Sequence, residues 1–231
     1  QFNVCIFGVS GYTGTQLVLF LTKHKYVNTV WIFGFETIGK KIKDLFPNLR
    51  NLPNLTVSDY LDFNFDGVDL IFSCLPHGKF QSKIINNLNK NTSIIDLSGD
   101  FRLDDLSLYE EFYGIKHKSK DINSKFVYGL SEVHKKEIKK AKFVANPGCY
   151  PTSIQLPLVP LIKKNLIHKY NITIDSKSGY SGAGKNLHKK FKHKNLFHST
   201  FAYSTKNHRH ICEIDQELQI HTKKKVKFTF N

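Results

Sequence analysis

A cysteine in the middle of the sequence has the setting of a reactive thiol. Cys149 follows a glycine, precedes a proline by two residues and lies directly before a helical pattern. At a helix N-terminus the positive end of the dipole favours the nucleophilic thiolate, and an early proline suits the first helical turn. The alternative is a buried structural cysteine, which is the expectation for Cys5 and Cys74 because both lie in apolar runs. The sequence predicts Cys149 as a catalytic nucleophile.

Two histidines near the other end of the sequence could serve as proton partners for this thiol. His208 and His210 flank Arg209, and Glu213 follows closely. If this segment is extended, both imidazoles project from one face and Arg209 from the other. Such a group suits an anion site with a general acid/base. Because the chain contains eleven histidines, surface histidines without a role are the alternative.

Three glycines near the start form a candidate nucleotide-binding turn. Gly8, Gly11 and Gly14 follow an apolar run and precede a helical pattern. Glycines permit a tight turn and let the backbone approach a pyrophosphate at a helix N-terminus, while Ser10 and Thr13 add hydroxyl donors. A purely structural turn is the alternative.

The residue that contacts the ribose of a dinucleotide is expected after the second strand. Glu36 stands there and would fit NAD, whereas Lys40 and Lys41 nearby would fit the 2'-phosphate of NADP. The spacing leaves this choice open.

Two loops are further candidates for ligand binding. Arg102 lies in residues 96–103, after a predicted strand, and its guanidinium could bind a carboxylate or phosphate through two hydrogen bonds. An ion pair with Asp100 or Asp104 is the alternative. The glycine-rich segment 178–185 lacks the pattern of a phosphate-binding P-loop. It lies over a cofactor or is a simple turn.

The sequence predicts no metal site. His188, His193 and His198 are spaced in steps of five, which would scatter their imidazoles around a helix.

Alternating strand and helix patterns supply the scaffold that must position these residues. Strands are expected at 3–7, 30–33, 68–74, 93–97 and 142–145, and helices at 15–24, 80–88 and 132–140. This alternation predicts an α/β fold, with a Rossmann-type parallel-sheet domain over residues 1–148. A helix at 152–166 and strands at 172–177 and 225–230 predict a second domain over residues 149–231.

Composition limits the classes of function. The 231 residues are 40% hydrophobic with a formal charge of +15, a globular balance. No apolar run reaches the ~18 residues of a membrane span, the four cysteines lie far apart in sequence, and the N-terminus carries no secretion signal. Only three basic residues are arginines, and no RNA-binding pattern accompanies the lysines. A cytoplasmic protein with neither membrane nor nucleic acid as a partner is expected.

Seven blocks of sequence, in order, closely resemble the motifs of the N-acetyl-gamma-glutamyl-phosphate reductase family. They cover residues 8–14, 75–78, 96–103, 128–132, 146–152, 178–185 and 208–218. The resemblance implies an NADP-dependent oxidoreductase of arginine biosynthesis, with a Rossmann domain followed by a semialdehyde-dehydrogenase-type catalytic and dimerisation domain of α+β type. The implied reaction reduces the acyl phosphate N-acetyl-L-glutamyl 5-phosphate with NADPH, through a cysteine thioester, to N-acetyl-L-glutamate 5-semialdehyde and phosphate. The resemblance also implies a homo-oligomer, a dimer or a tetramer.

The same resemblance implies a role for each motif residue. Cys149 would be the nucleophile and His208 the acid/base, with His210 as the alternative acid/base. The substrate would be bound by Arg102, Ser178, His210 and Glu213. NADP would be held by the glycine turn and two later segments: Gly8, Ser10, Gly11, Tyr12, Thr13, Gly14, Pro76, Ser181 and Gly182.

Two departures from the family pattern stand out. Family members usually carry a small hydroxyl residue after the second strand, where this chain has Gly34, Phe35 and Glu36, so the contact to the 2'-phosphate stays open. Members also continue past the position of residue 229, so the second domain is expected to be incomplete. Two alternatives to the implied function are an aspartate-semialdehyde dehydrogenase-like reductase and a non-catalytic, lysine-rich binding protein on the same fold.

Overall fold

A parallel sheet forms the first part of the chain. The computed structural model describes residues 1–88, 91–185, 199–204, 207–222 and 225–230. Within these ranges six parallel strands pair in the order β2-β1-β3-β4-β6-β5. They are β1 Phe2–Phe7, β2 Val27–Phe33, β3 Leu70–Ser73, β4 Ser93–Asp96, β5 Phe126–Tyr128 and β6 Phe143–Ala145. The strand order reverses beside β1, where open α/β sheets bind their ligands.

Helices and turns connect these strands. They are α1 Tyr12–Leu21, α2 Ile42–Leu45, α3 Lys79–Lys83, a 3₁₀ turn at Ile85–Asn87, α4 Leu106–Tyr113, α5 Lys120–Asn123 and α6 Lys135–Ile138. Cys5 and Phe7 of β1 pack into one apolar cluster, and Val4 and Ile6 pack into another. Successive side chains of a strand point to opposite faces, so β1 is buried on both sides, as in doubly covered α/β sheets. The expected α/β fold is confirmed.

The second part of the chain has its own core. It contains α7 Cys149–Lys163, β7 Ile172–Ile174, a 3₁₀ turn at Tyr180–Ala183, α8 Ile211–Thr222 and β8 Phe228–Phe230. β7 and β8 pair in parallel, and Ile154 and Ile162 of α7 share an apolar cluster with Ile214 and Leu218 of α8. None of the helices in the described ranges is long and apolar enough to cross a membrane.

Helix α7 contains three prolines. Pro151 lies in the first turn, whereas Pro157 and Pro160 lie in the interior of the helix. A proline inside a helix removes one backbone hydrogen bond and is strongly unfavourable in an isolated helix. Packing against α8 therefore holds α7 in its helical form.

Several expected elements differ from those observed. The condition of an extended segment at 208–210 is not met, because Arg209 and His210 form a turn that leads into α8. The expected helix at 80–88 is divided into α3 and a 3₁₀ turn, and that at 132–140 shortens to α6. The helix expected from 152 begins at Cys149, and the strands at 172–177 and 225–230 are three residues long.

Candidate active site

The glycine turn lies at the carboxyl end of β1, packed against the end of β3. Gly8 has a φ of +81°, and a Cβ on it would lie 2.6 Å from the carbonyl oxygen of Cys74. A Cβ on Gly14 would lie 2.5 Å from the carbonyl oxygen of Gly8. Both positions therefore exclude side chains. Gly11, the N-cap of α1, is different, because its Cβ would make only an ordinary 3.6 Å contact.

Gly8 and Gly14 are therefore required by the fold of the turn, whereas Gly11 has space around its Cα that a ligand could occupy. We expect Gly14→Ala to lower the melting temperature of the ligand-free protein, because backbone atoms of the turn must move and overpacking of this kind costs ~1–3 kcal/mol. Gly11→Ala should leave that temperature nearly unchanged and weaken dinucleotide binding. Thermal denaturation with and without NADP measures both effects. Equal destabilisation by the two variants would contradict this assignment.

The cofactor residues expected after β3 and near residue 181 lie on loops. The amide of Gly78, two residues after Pro76, donates a hydrogen bond of 2.6 Å to Asp100 Oδ1, so the loop after β3 is joined to the loop after β4. Ser181 and Gly182 lie in the 3₁₀ turn. Lys185 follows, and its Nζ lies 3.3 Å from the centre of the Phe46 ring. Through this contact the glycine-rich segment 178–185 touches Phe46 in the part of the chain that forms the parallel sheet.

The acidic and basic candidates for ribose recognition are all at the surface. Glu36, Lys40 and Lys41 are exposed. All three side chains are therefore accessible to a bound dinucleotide.

Cys149 is the first residue of α7, with Gly148 as its N-cap. Of the four thiols, all of them free, Cys149 alone is exposed. Burial raises the pKa of Cys5, Cys74 and Cys212 to about 12, with the Asp96 charge adding to the effect on Cys74. The three other thiols are thus poor nucleophiles near neutral pH.

Glu213 ties α8 to the start of α7. Its carboxylate accepts hydrogen bonds from the Gly148 amide at 2.9 Å and from the Tyr128 hydroxyl at 2.7 Å. Gln155 Nε2 donates in turn to the Tyr128 hydroxyl at 3.1 Å. Glu213 is 1% exposed, so these bonds form in a poorly hydrated interior where they fix geometry strongly. Burial, followed by the charge of Glu213, raises the pKa of Tyr128.

Arg102 is buried, and each of its three guanidinium nitrogens donates one hydrogen bond. Its Nε donates to the Asn146 carbonyl at 2.8 Å, its Nη2 to the Leu97 carbonyl at 2.9 Å and its Nη1 to Glu213 Oε2 at 3.4 Å. Arg102 does form an ion pair, as the alternative expectation had it, but the partner is Glu213 and not Asp100 or Asp104.

The two histidines lie together although their segment is not extended. The His208 and His210 rings have centroids 4.8 Å apart, and the His210 amide donates to His208 Nδ1 at 3.1 Å. His210 Nε2 lies 2.7 Å from where a Cβ on Gly148 would stand, so this imidazole rests against the backbone just before Cys149. His208 lies edge-on to the Tyr150 ring, with centroids 5.3 Å apart.

Both imidazoles are biased toward the neutral form. Burial lowers the pKa of His210 to about 3, with the charge of Arg102 next in effect. Burial and then the charge of Arg209 lower the pKa of His208. A neutral imidazole can accept a proton from a thiol.

Ser178 is connected to the thiol segment through two tyrosines. The Tyr203 hydroxyl donates to the Tyr150 hydroxyl at 2.8 Å. Burial and this hydrogen bond raise the pKa of Tyr203, and an interaction with the Ser178 side chain opposes them. Ser178 is exposed, and its Oγ lies 2.5 Å from where a Cβ on Gly182 would stand.

Sequence reasoning assigned no role to several residues that shape this site. Tyr128 belongs to a recognised motif, which was a usable signal, whereas Gln155 and Tyr203 carried none. Asp96, the last residue of β4, was also missed, and Asp100 was considered only as an ion-pair partner of Arg102. Both are fully buried, and burial with the nearby charge of Asp100 raises the pKa of Asp96 to about 7. His188, His193 and His198, for which no metal site was expected, lie outside the described residues.

Family models and relatives match nearly the whole chain. Residues 3–141 match a semialdehyde dehydrogenase NAD-binding domain, and residues 149–231 match a semialdehyde dehydrogenase dimerisation domain. A Clostridium novyi N-acetyl-gamma-glutamyl-phosphate reductase is 40% identical over 99% of this chain and 67% of its own length. The chain belongs to the N-acetyl-gamma-glutamyl-phosphate reductase family. The resemblance of the seven motifs is thereby confirmed.

Other members of the N-acetyl-gamma-glutamyl-phosphate reductase family are longer than this chain. A probable chloroplastic member from Arabidopsis thaliana is 43% identical over 99% of this chain and 57% of its own length. A member from Alkaliphilus metalliredigens is 42% identical over 97% of this chain and 65% of its own length. The chain thus spans about half to two thirds of the length of these relatives.

Solved structures share the fold of this family. Aspartate semialdehyde dehydrogenase II from Vibrio cholerae superposes with a TM-score of 0.67 at 16% identity, covering 100% of this chain and 69% of that chain. The aspartate semialdehyde dehydrogenase from Candida albicans, solved with NADP, superposes with a TM-score of 0.59 at 15% identity, covering 100% and 67%. At this identity the match establishes the fold alone.

Proposed function

We propose that the protein reduces N-acetyl-L-glutamyl 5-phosphate with NADPH to N-acetyl-L-glutamate 5-semialdehyde and phosphate, as the names of its relatives indicate. The observation that carries this proposal is the setting of Cys149, the one exposed thiol of four, at the first residue of a helix. The imidazole of His210 lies against the residue before it. A thiol and neutral imidazoles at a helix N-terminus suit acyl transfer.

Cys149 would begin the reaction. Its sulfur attacks the acyl carbon of the substrate, the C–S bond forms, and the C–O bond to phosphate breaks, leaving a thioester on the protein. The amides of Cys149 and Tyr150, in the first turn of α7, have no partner within the helix and could donate to the carbonyl oxygen. The Gly148 amide is already bonded to Glu213.

His208 would handle the proton. As a neutral imidazole it accepts the thiol proton during the attack, and it returns this proton to the carbonyl oxygen when the thioester is reduced. The resulting thiohemiacetal then loses its hydroxyl proton as its C–S bond breaks, which releases the semialdehyde and restores the Cys149 thiol. Its partial exposure leaves it more accessible to substrate than His210, which is 6% exposed. His210 remains the alternative acid/base.

Four residues would surround the substrate. Ser178 is exposed and interacts with Tyr203, whose hydroxyl is bonded to that of Tyr150. His210 lies against Gly148. Arg102 and Glu213 are proposed to act at close range to Gly148, since Arg102 Nη1 lies 3.0 Å from where a Cβ on Gly148 would stand. The ion pair with Glu213 fixes the Arg102 guanidinium, whose positive charge would attract a substrate carboxylate, whereas Glu213 would accept a hydrogen bond from a donor group of the substrate.

The glycine turn fits a dinucleotide. Gly8 and Gly14 allow a tight turn in which a side chain at either position would collide with backbone. Helix α1 begins at Tyr12, with no side-chain cap at Gly11. Amides there would meet a pyrophosphate, assisted by Ser10, Tyr12 and Thr13. Pro76, Ser181 and Gly182 are proposed to border the same cofactor. Bound NADPH would supply the hydride that reduces the thioester.

We expect NADP to be preferred over NAD, by a small factor. Lys40 and Lys41 are exposed in the segment between β2 and α2 and would attract a 2'-phosphate, whereas the charge of Glu36 in the same segment would repel it. Glu36→Gln should therefore increase the preference, and Glu132→Gln, at another exposed position, should not. Comparing kcat/KM for the two cofactors measures this. Equal or better turnover with NAD would make Glu36 a ribose ligand.

The direct test is phosphate-dependent reduction of NADP with N-acetyl-L-glutamate 5-semialdehyde, monitored by absorbance. Activity with this substrate and none with aspartate semialdehyde supports the proposal. Activity with aspartate semialdehyde alone would establish the alternative reductase. Salt-dependent binding of nucleic acid without either activity would establish the lysine-rich binding protein.

The acid limb of the pH profile should lie below pH 6.5 and depend on Arg209. The neutral form of the catalytic histidine is active, so kcat/KM falls as pH drops through a pKa that burial, and then Arg209, have lowered. Arg209→Gln removes the smaller cause, so the limb should move upward and still lie below pH 6.5. The exposed Arg50→Gln is the control. An unmoved limb in Arg209→Gln would show that neither histidine governs it.

The proposal extends to assembly and location. Residues 1–148 would bind the cofactor, and residues 149–231 would carry the thiol. Residues 149–231 would also form the contact between subunits, because the family that they match is named a dimerisation domain. Light scattering after size-exclusion chromatography tests for a dimer or tetramer.

A cytoplasmic location is proposed from the four free thiols. Plant relatives are named chloroplastic. Fluorescence of the tagged protein in its own cells tests the proposed location.

A further inference from the structure

We propose that His134, Glu217 and His221 form a site for a divalent transition metal, best matched by Zn²⁺, which clamps α8 to the start of α6. His134 is the N-cap of α6, and the other two lie one turn apart on α8. One possible ligand atom from each residue lies within 4.8 Å of the other two. The sequence did not predict this site because His134 is far from α8 along the chain.

The contacts within the cluster leave one nitrogen without a partner. His134 Nε2 and Glu217 Oε2 are 2.7 Å apart. The His221 ring stacks on His134 with centroids 5.9 Å apart and an interplanar angle of 26°. His221 Nε2 is buried and has no hydrogen-bond partner among the described residues. A buried polar atom without a partner is unfavourable and calls for an explanation.

The residue types suit zinc. Two imidazoles and one carboxylate form a donor set of the kind that binds Zn²⁺ with one position open to water. At bond lengths of ~2.0–2.2 Å, the ligand atoms of a tetrahedral site lie roughly 3.3–3.5 Å apart. His134 and Glu217 would separate by less than about 1 Å to admit the ion. Glu217 Oε1 accepts from Gln216 Nε2 at 3.4 Å, which leaves Oε2 for the metal and orients it.

A plain hydrogen-bonded pair is the competing interpretation. His134 and Glu217 would satisfy each other without an ion, but His221 would then remain unexplained. The charge of Lys163 reaches His221 and opposes a cation there. Lys163 is exposed, so water and salt screen this repulsion.

The clamp would act on the thiol site through α8. Glu217 lies one turn after Glu213, whose carboxylate accepts the Gly148 amide. His221 lies about 12 Å along the helix from Glu213 at 1.5 Å per residue. The metal would therefore stabilise the position of α8 and stay apart from the reacting thiol.

The test is a titration of the metal-stripped protein with Zn²⁺ by calorimetry, and with Co²⁺ as a spectroscopic probe. His221→Gln removes an imidazole without breaking a hydrogen bond in the described residues. His168→Gln makes the same change at an exposed histidine of the same domain. We expect the unmodified chain and His168→Gln to bind one Zn²⁺ with a higher melting temperature, and His221→Gln to bind at least about tenfold more weakly.

Equal affinity in His221→Gln and the unmodified chain would overturn the proposal, as would the absence of binding. X-ray absorption at the zinc edge provides a measurement that does not depend on a variant folding. Two imidazoles and an oxygen neighbour are expected around the ion. A sulfur neighbour would place the metal on a cysteine and overturn the proposal as well.

Discussion

Cys149→Ser is expected to reduce turnover by at least about a thousandfold while leaving cofactor binding nearly intact. A serine hydroxyl ionises far less readily than a thiol and is a far weaker nucleophile in the same setting. Loss of a nucleophile ranks among the largest single effects on an enzyme. The side chain is exposed at the start of α7, so its replacement should not disturb packing. Steady-state kinetics and NADP titration by fluorescence measure the two effects.

Cys212→Ser is the matched control for this experiment. Cys212 is buried, and its Sγ donates to the Arg209 carbonyl at 3.0 Å, a bond that a serine hydroxyl can keep. The Cys212→Ser variant should keep a turnover within a few fold of that of the unmodified protein. Iodoacetamide should modify Cys149 first, and the substrate should protect it. Rapid labelling of Cys5 or Cys74 with activity preserved would show that the nucleophile lies elsewhere.

His208→Asn is expected to lower kcat by ~100- to 10,000-fold, the usual effect of losing a general acid/base. Asparagine keeps a polar side chain of similar reach but cannot accept the thiol proton. The residual activity should no longer show the acid limb, because the group that titrates is gone. A pH series of kcat and kcat/KM checks both statements.

His210→Asn distinguishes the two histidines. His210 is almost fully buried against Gly148, so its loss should affect the placement of the thiol segment and leave the acid limb in place. The exposed His168→Asn should behave as the unmodified protein. An acid limb lost in His210→Asn and kept in His208→Asn would reverse the two roles.

Most of the sheet could be predicted from local pattern. Five strands are apolar runs between turn signals: β1, β2, β3, β4 and β6. An apolar run of this kind is the usual sequence pattern of a strand that is buried on both faces. β5, at Phe126–Tyr128, was missed because three residues at the edge of a sheet carry no periodicity. The true start of α7 was also missed, because Gly148 serves as the N-cap without a side-chain bond.

The residues of the candidate site could be predicted from the sequence, but the hydrogen bonds that join them could not. Glycines, a cysteine before a helix and a pair of histidines are visible as residue types. The bonds from Glu213 to Gly148 and to Arg102 join positions 65 and 111 residues apart, so only the folded chain shows them. Sequence reasoning placed His208 and His210 on one face only on the condition that 208–210 is extended. The turn into α8 carries no local signal that would have replaced this condition.

The prolines of α7 bear on how the protein acquires its nucleophile during folding. Pro157 and Pro160 make the helix unfavourable by itself, at a cost of about 3 kcal/mol each relative to alanine, so little of it should exist in the denatured ensemble. It must form together with α8, whose Ile214 and Leu218 pack on it. Nascent chains would therefore carry Cys149 in an unstructured segment, without a helix dipole beside it. The chemical reactivity of this thiol becomes a property of the completed tertiary structure, and opening of α7 should coincide with opening of α8 in hydrogen exchange.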